Sequence, residues 1–284
     1  MFMNYMELRE KLKRNEDKRD EGLTTPENVE RFNDISYGNE YLDVYRPKGN
    51  NSYLPVIVSV HGGGWVYGDK ERYQYYCMSL VQYGFAVINF NYRLAPEYKY
   101  PASIEDMNQV FHWILSNREQ YKLDTDNIFA LGDSAGGHIL GIYANILTNK
   151  DYRKNYALNL PDIHFNALAF NCAVTYIRAD LEMYLMEELL PDRGTEEEFD
   201  LLDVTKYVTS QFPPSFIATS TKDFLQPDSL ALMNSFIDYE VPFEFHYFGN
   251  QHQLLNHCFN LDLKLEAAQN CNRIECEFFK RHKK

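Results

Sequence analysis

A serine stands between two glycines in the segment GDSAG, residues 132–136. The segment follows an apolar run that begins at Asn127 and opens a stretch with helical character. In a strand–turn–helix of this kind, the tight turn exposes the serine hydroxyl above a sheet, where it can act as a nucleophile. The same pattern fits an ordinary turn whose serine caps the next helix. Ser134 is therefore a candidate nucleophile whose assignment depends on other residues.

Three consecutive glycines occur in HGGGW, residues 61–65, directly after another apolar run. Attack on an ester carbonyl places negative charge on its oxygen, and loss of one backbone donor that stabilises this charge costs ~10²–10³ in rate. Side chains must be absent where a backbone approaches that oxygen, so we expect Gly63, Gly64 and Ala135 to donate their N–H groups. A phosphate cradle is the alternative, but this sequence lacks both the Walker loop and the dinucleotide fingerprint.

A serine nucleophile needs a histidine base, and the base needs a carboxylate that orients it. Where the serine lies on a strand-to-helix turn, the chain order is serine, acid, histidine. Asp223 stands at the end of an apolar run at residues 214–223, and we expect it to be the acid. Asp228 is the alternative, although its position is that of an N-cap for the next helix.

Three histidines lie near the last predicted strand. His246 falls inside that strand and is expected to be structural. His252 follows soon after the strand end and His257 comes later, just before the final helix, so spacing does not decide between them. A histidine base predicts that activity falls as the pH drops below about 6.5, the ordinary pKa of histidine.

Five near-continuous apolar runs are typical of strands buried on both faces of a parallel sheet. These runs are residues 53–60, 85–92, 127–133, 166–174 and 214–223, and a further strand with partial alternation spans 241–249. Helical segments lie at about 71–83, 103–118, 135–149, 228–239 and 262–281. The alternation predicts an α/β fold with a mostly parallel central sheet and helices on both faces. The length of 284 residues fits a single domain of this type.

Two segments fall outside this alternation. A charged helix is predicted at residues 4–20, followed by short strands at 34–38 and 41–47. Between the strands that end near 174 and begin near 215, an insertion holds too many apolar residues for a plain loop. It predicts a helical piece that covers another part of the molecule.

The net charge and the hydropathy of the sequence limit the classes of binding partner that we expect. The formal net charge is −13, which argues against nucleic acids and anionic membrane surfaces, since both need clustered Lys and Arg. No window reaches the ~20 apolar residues of a membrane span, and the first residues lack a signal-peptide pattern, so we expect a cytoplasmic protein. A homodimer is the default oligomer for such a protein.

The titratable residues suggest no metal and no cofactor. The five cysteines are odd in number and match no zinc spacing, and no carboxylate–histidine spacing suggests a metal. We expect reduced thiols, with Cys172 as a small core residue within an apolar run.

Five segments resemble the hormone-sensitive-lipase-like branch of the α/β-hydrolases, which includes bacterial acetyl esterases. They are HGGGW (61–65), NYRLAPEYKYPA (91–102), GDSAGG (132–137), KDFL (222–225) and HCF (257–259). The resemblance implies Ser134 as nucleophile, Asp223 as acid and His257 as base. The family usually has glycine where this chain has Cys258. It also builds a cap from the N-terminus and an insertion, which corresponds here to residues 1–30 and about 176–206.

The same resemblance implies hydrolysis of a small-molecule carboxylic ester. Because the cap is short, we expect acyl chains from acetyl to butyryl on a small alcohol, aryl or sugar group. An arylformamidase-like amide hydrolase would use the same triad. A non-catalytic receptor of the same fold, as in the plant gibberellin receptors, would lose the histidine.

Overall fold

The computed structural model describes residues 4–177 and 186–284. Its strands are β1 (Val29–Ser36), β2 (Tyr41–Pro47), β3 (Leu54–Val60), β4 (Ala86–Phe90), β5 (Leu123–Asp133), β6 (Ala167–Asn171), β7 (Ser215–Ser220) and β8 (Phe243–Phe248). Within the described residues they form one sheet, ordered β1-β2-β4-β3-β5-β6-β7-β8. β2 is antiparallel to both neighbours, and the pairs from β4 to β8 are parallel. The predicted mostly parallel sheet is confirmed.

Helices cover both faces of this sheet. They are α1 (Tyr5–Asp20), α2 (Lys70–Val81), α3 (Ala102–Tyr121), α4 (Ser134–Thr148), α5 (Glu196–Leu201), α6 (Gln226–Asp238) and α7 (Glu266–Arg281). The apolar residues of α3, α4 and α6 pack on one face, and those of α2 and α7 pack on the other. Every residue of β3, β4, β6 and β7 is consequently buried. This double coverage explains why these strands lack the alternation of a half-exposed sheet.

The first edge of the sheet differs from the prediction. A strand was expected at 34–38, whereas β1 begins at Val29 and ends at Ser36. It pairs with β2 through a register shift between Phe32 and Ile35, and Asp34 in this shift has a φ of 56°. A bulged edge strand that faces solvent tolerates polar side chains, which hid it in the sequence pattern.

The predicted insertion at 176–206 is described in part. Residues 178–185 lie outside the described residues. Residues 186–189 are helical, and α5 follows them with a capping box formed by Thr195 and Glu198. Among the helices in the described ranges, none has the length and apolar character that crossing a bilayer requires.

Candidate active site

Ser134 lies at the sharp turn from β5 into α4. Its φ is 49°, a left-handed conformation that costs a non-glycine residue energy and that marks many functional turns. The neighbours must be glycine, because a Cβ on Gly136 would lie 2.1 Å from the carbonyl oxygen of Val60 and one on Gly132 would lie 2.7 Å from the backbone of Gly136. The start of α4 therefore packs directly on the sheet and presents Ser134 above it.

The glycine loop after β3 packs against this turn. A Cβ on Gly62 would lie 2.7 Å from Asp133 Oδ2 and 3.2 Å from the Cβ of Ser134. Gly63 has a φ of 120°, and a Cβ there would lie 2.0 Å from the carbonyl oxygen of Tyr67. Both glycines are thus required by the close packing of the loop on its own chain, whereas the sequence analysis expects glycine there for the approach of a substrate oxygen.

Hydrogen bonds hold the loop in place from beneath. His61 is fully buried, its Nδ1 lies 2.8 Å from the carbonyl oxygen of Gly62, and its ring stacks on Tyr92. Burial lowers the pKa of His61 to about 4, so the ring is neutral at neutral pH. His61 therefore braces the loop.

The backbone N–H groups of the three glycines differ in their hydrogen bonding. That of Gly62 donates to the Tyr73 hydroxyl at 2.9 Å, and this hydroxyl donates to Asp133 Oδ2 at 2.7 Å. The N–H groups of Gly63 and Gly64 have no partner among the described residues. Gly63 and Gly64 can therefore still donate to a ligand, whereas Gly62 cannot.

A cavity of about 570 Å³ opens above the nucleophile turn. The residues predicted for the chemistry share it: Gly63, Gly64, Ser134, Ala135 and His257 all line it. Its remaining wall is largely apolar and includes Leu8, Leu12, Trp65, Val174, Leu225 and Leu261. The site thus joins a serine, a histidine and two open backbone donors in one apolar pocket.

Asp223 lies behind His257. Its Oδ1 is 2.7 Å from His257 Nδ1 and accepts the N–H of Leu225, and its Oδ2 accepts the Thr219 hydroxyl at 2.7 Å. Burial opposes the charge of this carboxyl, but the contacts with His257 and Thr219 outweigh it and lower the pKa. Asp223 is therefore a charged, fixed partner for the imidazole.

The loop that carries His257 is fixed by the segment before Asp223. Lys222 N–H donates to the carbonyl oxygen of Leu255 at 2.8 Å, and Leu255 N–H donates to the Thr221 hydroxyl at 2.8 Å. The Ser220 hydroxyl donates to the same carbonyl at 3.0 Å. These bonds align the chain just before His257 with the chain just before Asp223.

The alternative candidates for the histidine base and for the acid occupy other positions. His252 is exposed in the turn after β8, with its Nε2 3.0 Å from Gln251 Nε2. His246 lies inside β8, as expected. Asp228 is not an N-cap: it lies in the first turn of α6, is buried, and accepts the N–H of Thr175. The N-cap of α6 is instead Leu225, and the helix itself begins at Gln226.

Two cysteines contact the histidine region, which the sequence analysis missed. Cys172 is buried, as expected for a core residue, but its Sγ lies within 4.8 Å of the donor atoms of Asp223 and His257. Burial would lower the pKa of His257, yet the contacts with Asp223 and Cys172 outweigh it and raise the pKa above 6.5. The signal that could have revealed this cluster was Cys258 in place of the usual glycine.

Helix α1 forms one wall of the cavity. Its side chains at Leu8, Lys11, Leu12, Asn15, Glu16 and Arg19 line it. Arg9 anchors the helix by donating to the carbonyl oxygens of Val66 at 2.5 Å and Ala95 at 2.9 Å and by pairing with Glu97. The glycine loop and the cavity wall are therefore connected through Arg9.

Known proteins share this architecture. A family model described as BD-FAE matches residues 42–233. An alpha/beta hydrolase of Acanthamoeba polyphaga mimivirus is 28% identical over 208 residues, and the match spans 70% of this chain and 60% of that protein. An acetyl esterase of Salmonella typhi is 27% identical over 249 residues, or 84% of this chain and 76% of the relative.

Solved structures that resemble this protein are also esterases. Esterase B from Lactobacillus rhamnosis has a TM-score of 0.87 at 23% identity, with 96% of this chain and 92% of that chain covered. Another structure of that esterase concerns its inhibition with a C4-C4 tributyrin phosphonate. The likeness establishes the α/β-hydrolase fold. Because the family model matches more than half of the chain, this protein belongs to the BD-FAE family, among the α/β-hydrolase esterases.

Proposed function

We propose that this protein hydrolyses carboxylic esters through Ser134 as nucleophile, His257 as base and Asp223 as orienting acid. The observation that carries the proposal is the shared cavity: Ser134 and His257 both line it, and His257 is bonded from behind by Asp223. The acetyl esterase among the relatives and the phosphonate-inhibited esterase among the structures support an ester as substrate.

The reaction proceeds in two halves. His257 takes the Ser134 proton as the serine oxygen attacks the acyl carbon, and Asp223 stabilises the resulting imidazolium. The N–H groups of Gly63, Gly64 and Ala135 bind the negative oxygen that forms. The imidazolium then protonates the leaving alcohol, and water repeats the sequence to release the acid from the serine. Every proton is carried by the chain or the substrate, so the mechanism requires no cofactor.

We propose short acyl chains, acetyl to butyryl, as the preferred substrates. The cavity of about 570 Å³ must hold the acyl and alcohol parts together, which leaves modest room for either. Helix α1 closes one side, and we propose that residues 1–30 and about 176–206 act as a small cap on the single domain of residues 1–284. A larger acyl chain would have to displace Leu8 or Leu12 of α1.

The first experiment measures hydrolysis of p-nitrophenyl acetate, butyrate and octanoate. Wild type is compared with Ser134→Ala, His257→Ala and the matched control His252→Ala. We expect kcat to fall by ~10³-fold or more for the first two variants and to persist in the control. We also expect kcat/KM to be highest for acetate or butyrate.

Each part of the proposal can fail separately. Loss of activity in His252→Ala with retention in His257→Ala would contradict the base assignment. A maximum at octanoate would contradict the short-chain preference. An inactive wild type would contradict the esterase proposal and favour a ligand-binding protein of the same fold.

A further inference from the structure

Three donor groups of mixed type meet beside the cavity, and a second thiol lies next to one of them. The Sγ of Cys172, a carboxylate oxygen of Asp223 and a ring nitrogen of His257 lie within 4.8 Å of one another. Cys172 and Asp223 are buried, so these donors are shielded from bulk water. The thiol of Cys258 faces the sulfur of Cys172 and also lines the cavity.

Both cysteines hold an unusual backbone conformation. Cys172 has a φ of 47° and Cys258 has a φ of 53°. This region costs a residue with a Cβ energy that glycine does not bear, and such strain clusters at functional sites. Glycine would suit position 258 better for the backbone, so the thiol there needs a separate reason.

The donor set matches a thiophilic cation. Thiolate, imidazole and carboxylate bind Zn²⁺ at ~2.0–2.3 Å in tetrahedral geometry. Donors at most 4.8 Å apart reach that geometry when each side chain moves inward by about 1 Å or less. Oxygen-preferring cations such as Mg²⁺ are disfavoured by the two sulfurs.

We propose that Cys172, Asp223 and His257, with Cys258 as the fourth donor, form an inhibitory binding site for a thiophilic divalent cation such as Zn²⁺ or Cd²⁺. The cation enters from the cavity, which His257 and Cys258 line. Binding replaces the thiol protons, which pass to solvent, so affinity rises with pH.

The inhibitory effect rests on the proposed function, because it requires His257 to be the base. Whichever ring nitrogen binds the cation, His257 loses either the bond that orients it or the lone pair that accepts the Ser134 proton. The cation therefore turns off hydrolysis without contacting Ser134.

Direct binding is measured first, with Cd²⁺ alone as the probe. The full chain, kept reduced with a phosphine, is titrated with Cd²⁺ and the sulfur-to-cadmium charge-transfer absorbance is recorded. We expect one ion per chain in wild type, in Ser134→Ala and in the matched control Cys276→Ala, whose buried cysteine lies in α7. Cys172→Ala should weaken binding at least ~10-fold. Cys258→Gly, which also relieves the left-handed backbone, provides a second test if Cys172→Ala fails to fold.

Inhibition is measured next, with Zn²⁺ and p-nitrophenyl acetate. The concentration for half-inhibition should rise at least ~10-fold in Cys258→Gly and stay unchanged in Cys276→Ala, each rate normalised to its own metal-free value. Absent charge-transfer absorbance in wild type, or equal affinity in Cys258→Gly, would overturn the site. A wild type that binds Cd²⁺ but has no esterase activity would instead refute the proposed function and leave the site standing.

Discussion

Oδ1 of Asp223 lies 2.7 Å from Nδ1 of His257, and the carboxylate that makes this contact is itself fixed by Thr219 and Leu225. The imidazole therefore meets an acceptor that cannot rotate away. This contact uses Nδ1, so Nε2 remains available to another partner, and small changes of the acid side chain can test its role.

Asp223→Asn should lower kcat by ~10⁴-fold with a small change in KM, because an amide holds the imidazole in the wrong tautomer. The matched control is Asp228→Asn, a buried acid that bonds Thr175 rather than histidine. It should lower the midpoint of thermal unfolding while its folded fraction keeps its kcat. Equal kcat in Asp223→Asn and wild type would refute the acid assignment. Circular dichroism reports whether each variant is folded.

The pH profile should be displaced to the alkaline side. Hydrolysis needs neutral His257, and the contacts with Asp223 and Cys172 raise its pKa above 6.5. A raised pKa keeps the ring protonated to higher pH, so kcat/KM should fall on acidification already above pH 6.5. Measured with a chelator present, Cys172→Ala should move this acidic limb to lower pH. An acidic limb below 6.5 in wild type would contradict the expectation.

Gly63→Ala should lower kcat by ~10²-fold or more, because the glycine loop must move to accommodate the new Cβ. The Cβ would lie 2.0 Å from the Tyr67 carbonyl oxygen, at a φ of 120°. Gly49 is the matched control, since it also has a positive φ of 76° but has no atom within 4 Å of an added Cβ. Gly49→Ala should keep kcat within about twofold and lose only a little stability. A shared loss of activity in both variants would point to general instability.

Arg9→Gln should raise KM and increase hydrogen exchange in α1, because it removes the bonds to Val66 and Ala95. Arg14→Gln is the control, since Arg14 is exposed and pairs only loosely with Glu10 on the same helix. Steady-state kinetics and exchange mass spectrometry test both variants. Unchanged KM and exchange in Arg9→Gln would show that α1 is held by other contacts.

The sheet could be predicted because helices cover both of its faces. Residues 54–60 and 86–90 are apolar at nearly every position, and the structure places them as β3 and β4. The strand-to-helix turn at Ser134 could be predicted for a related reason, since close backbone approach allows only glycine at Gly132 and Gly136. Strong steric constraints leave a clear pattern in the sequence.

Features of the structure that depend on weaker steric constraints could not be predicted from the sequence. Helix α1 was predicted, but its anchoring by Arg9 to backbone carbonyls could not be predicted. Every residue has a backbone carbonyl, so the sequence does not mark which of them accepts a hydrogen bond. Spacing left His252 and His257 open as bases, because it does not encode the hydrogen bonds of Leu255 that hold the loop beside Asp223. Cys172 was assigned to the core from its apolar neighbours, and only the folded chain brings its sulfur to His257.

From β5 to β8 the strands have the same order in the sheet as in the chain. The residues of the proposed triad come after three of these strands: Ser134 follows β5, Asp223 follows β7 and His257 follows β8. During synthesis the N-terminal parts emerge and fold first. In a nascent chain the proposed nucleophile, Ser134, therefore emerges well before the proposed base, His257. The proposed triad can therefore be complete only after β8 and the loop that follows it have been synthesised.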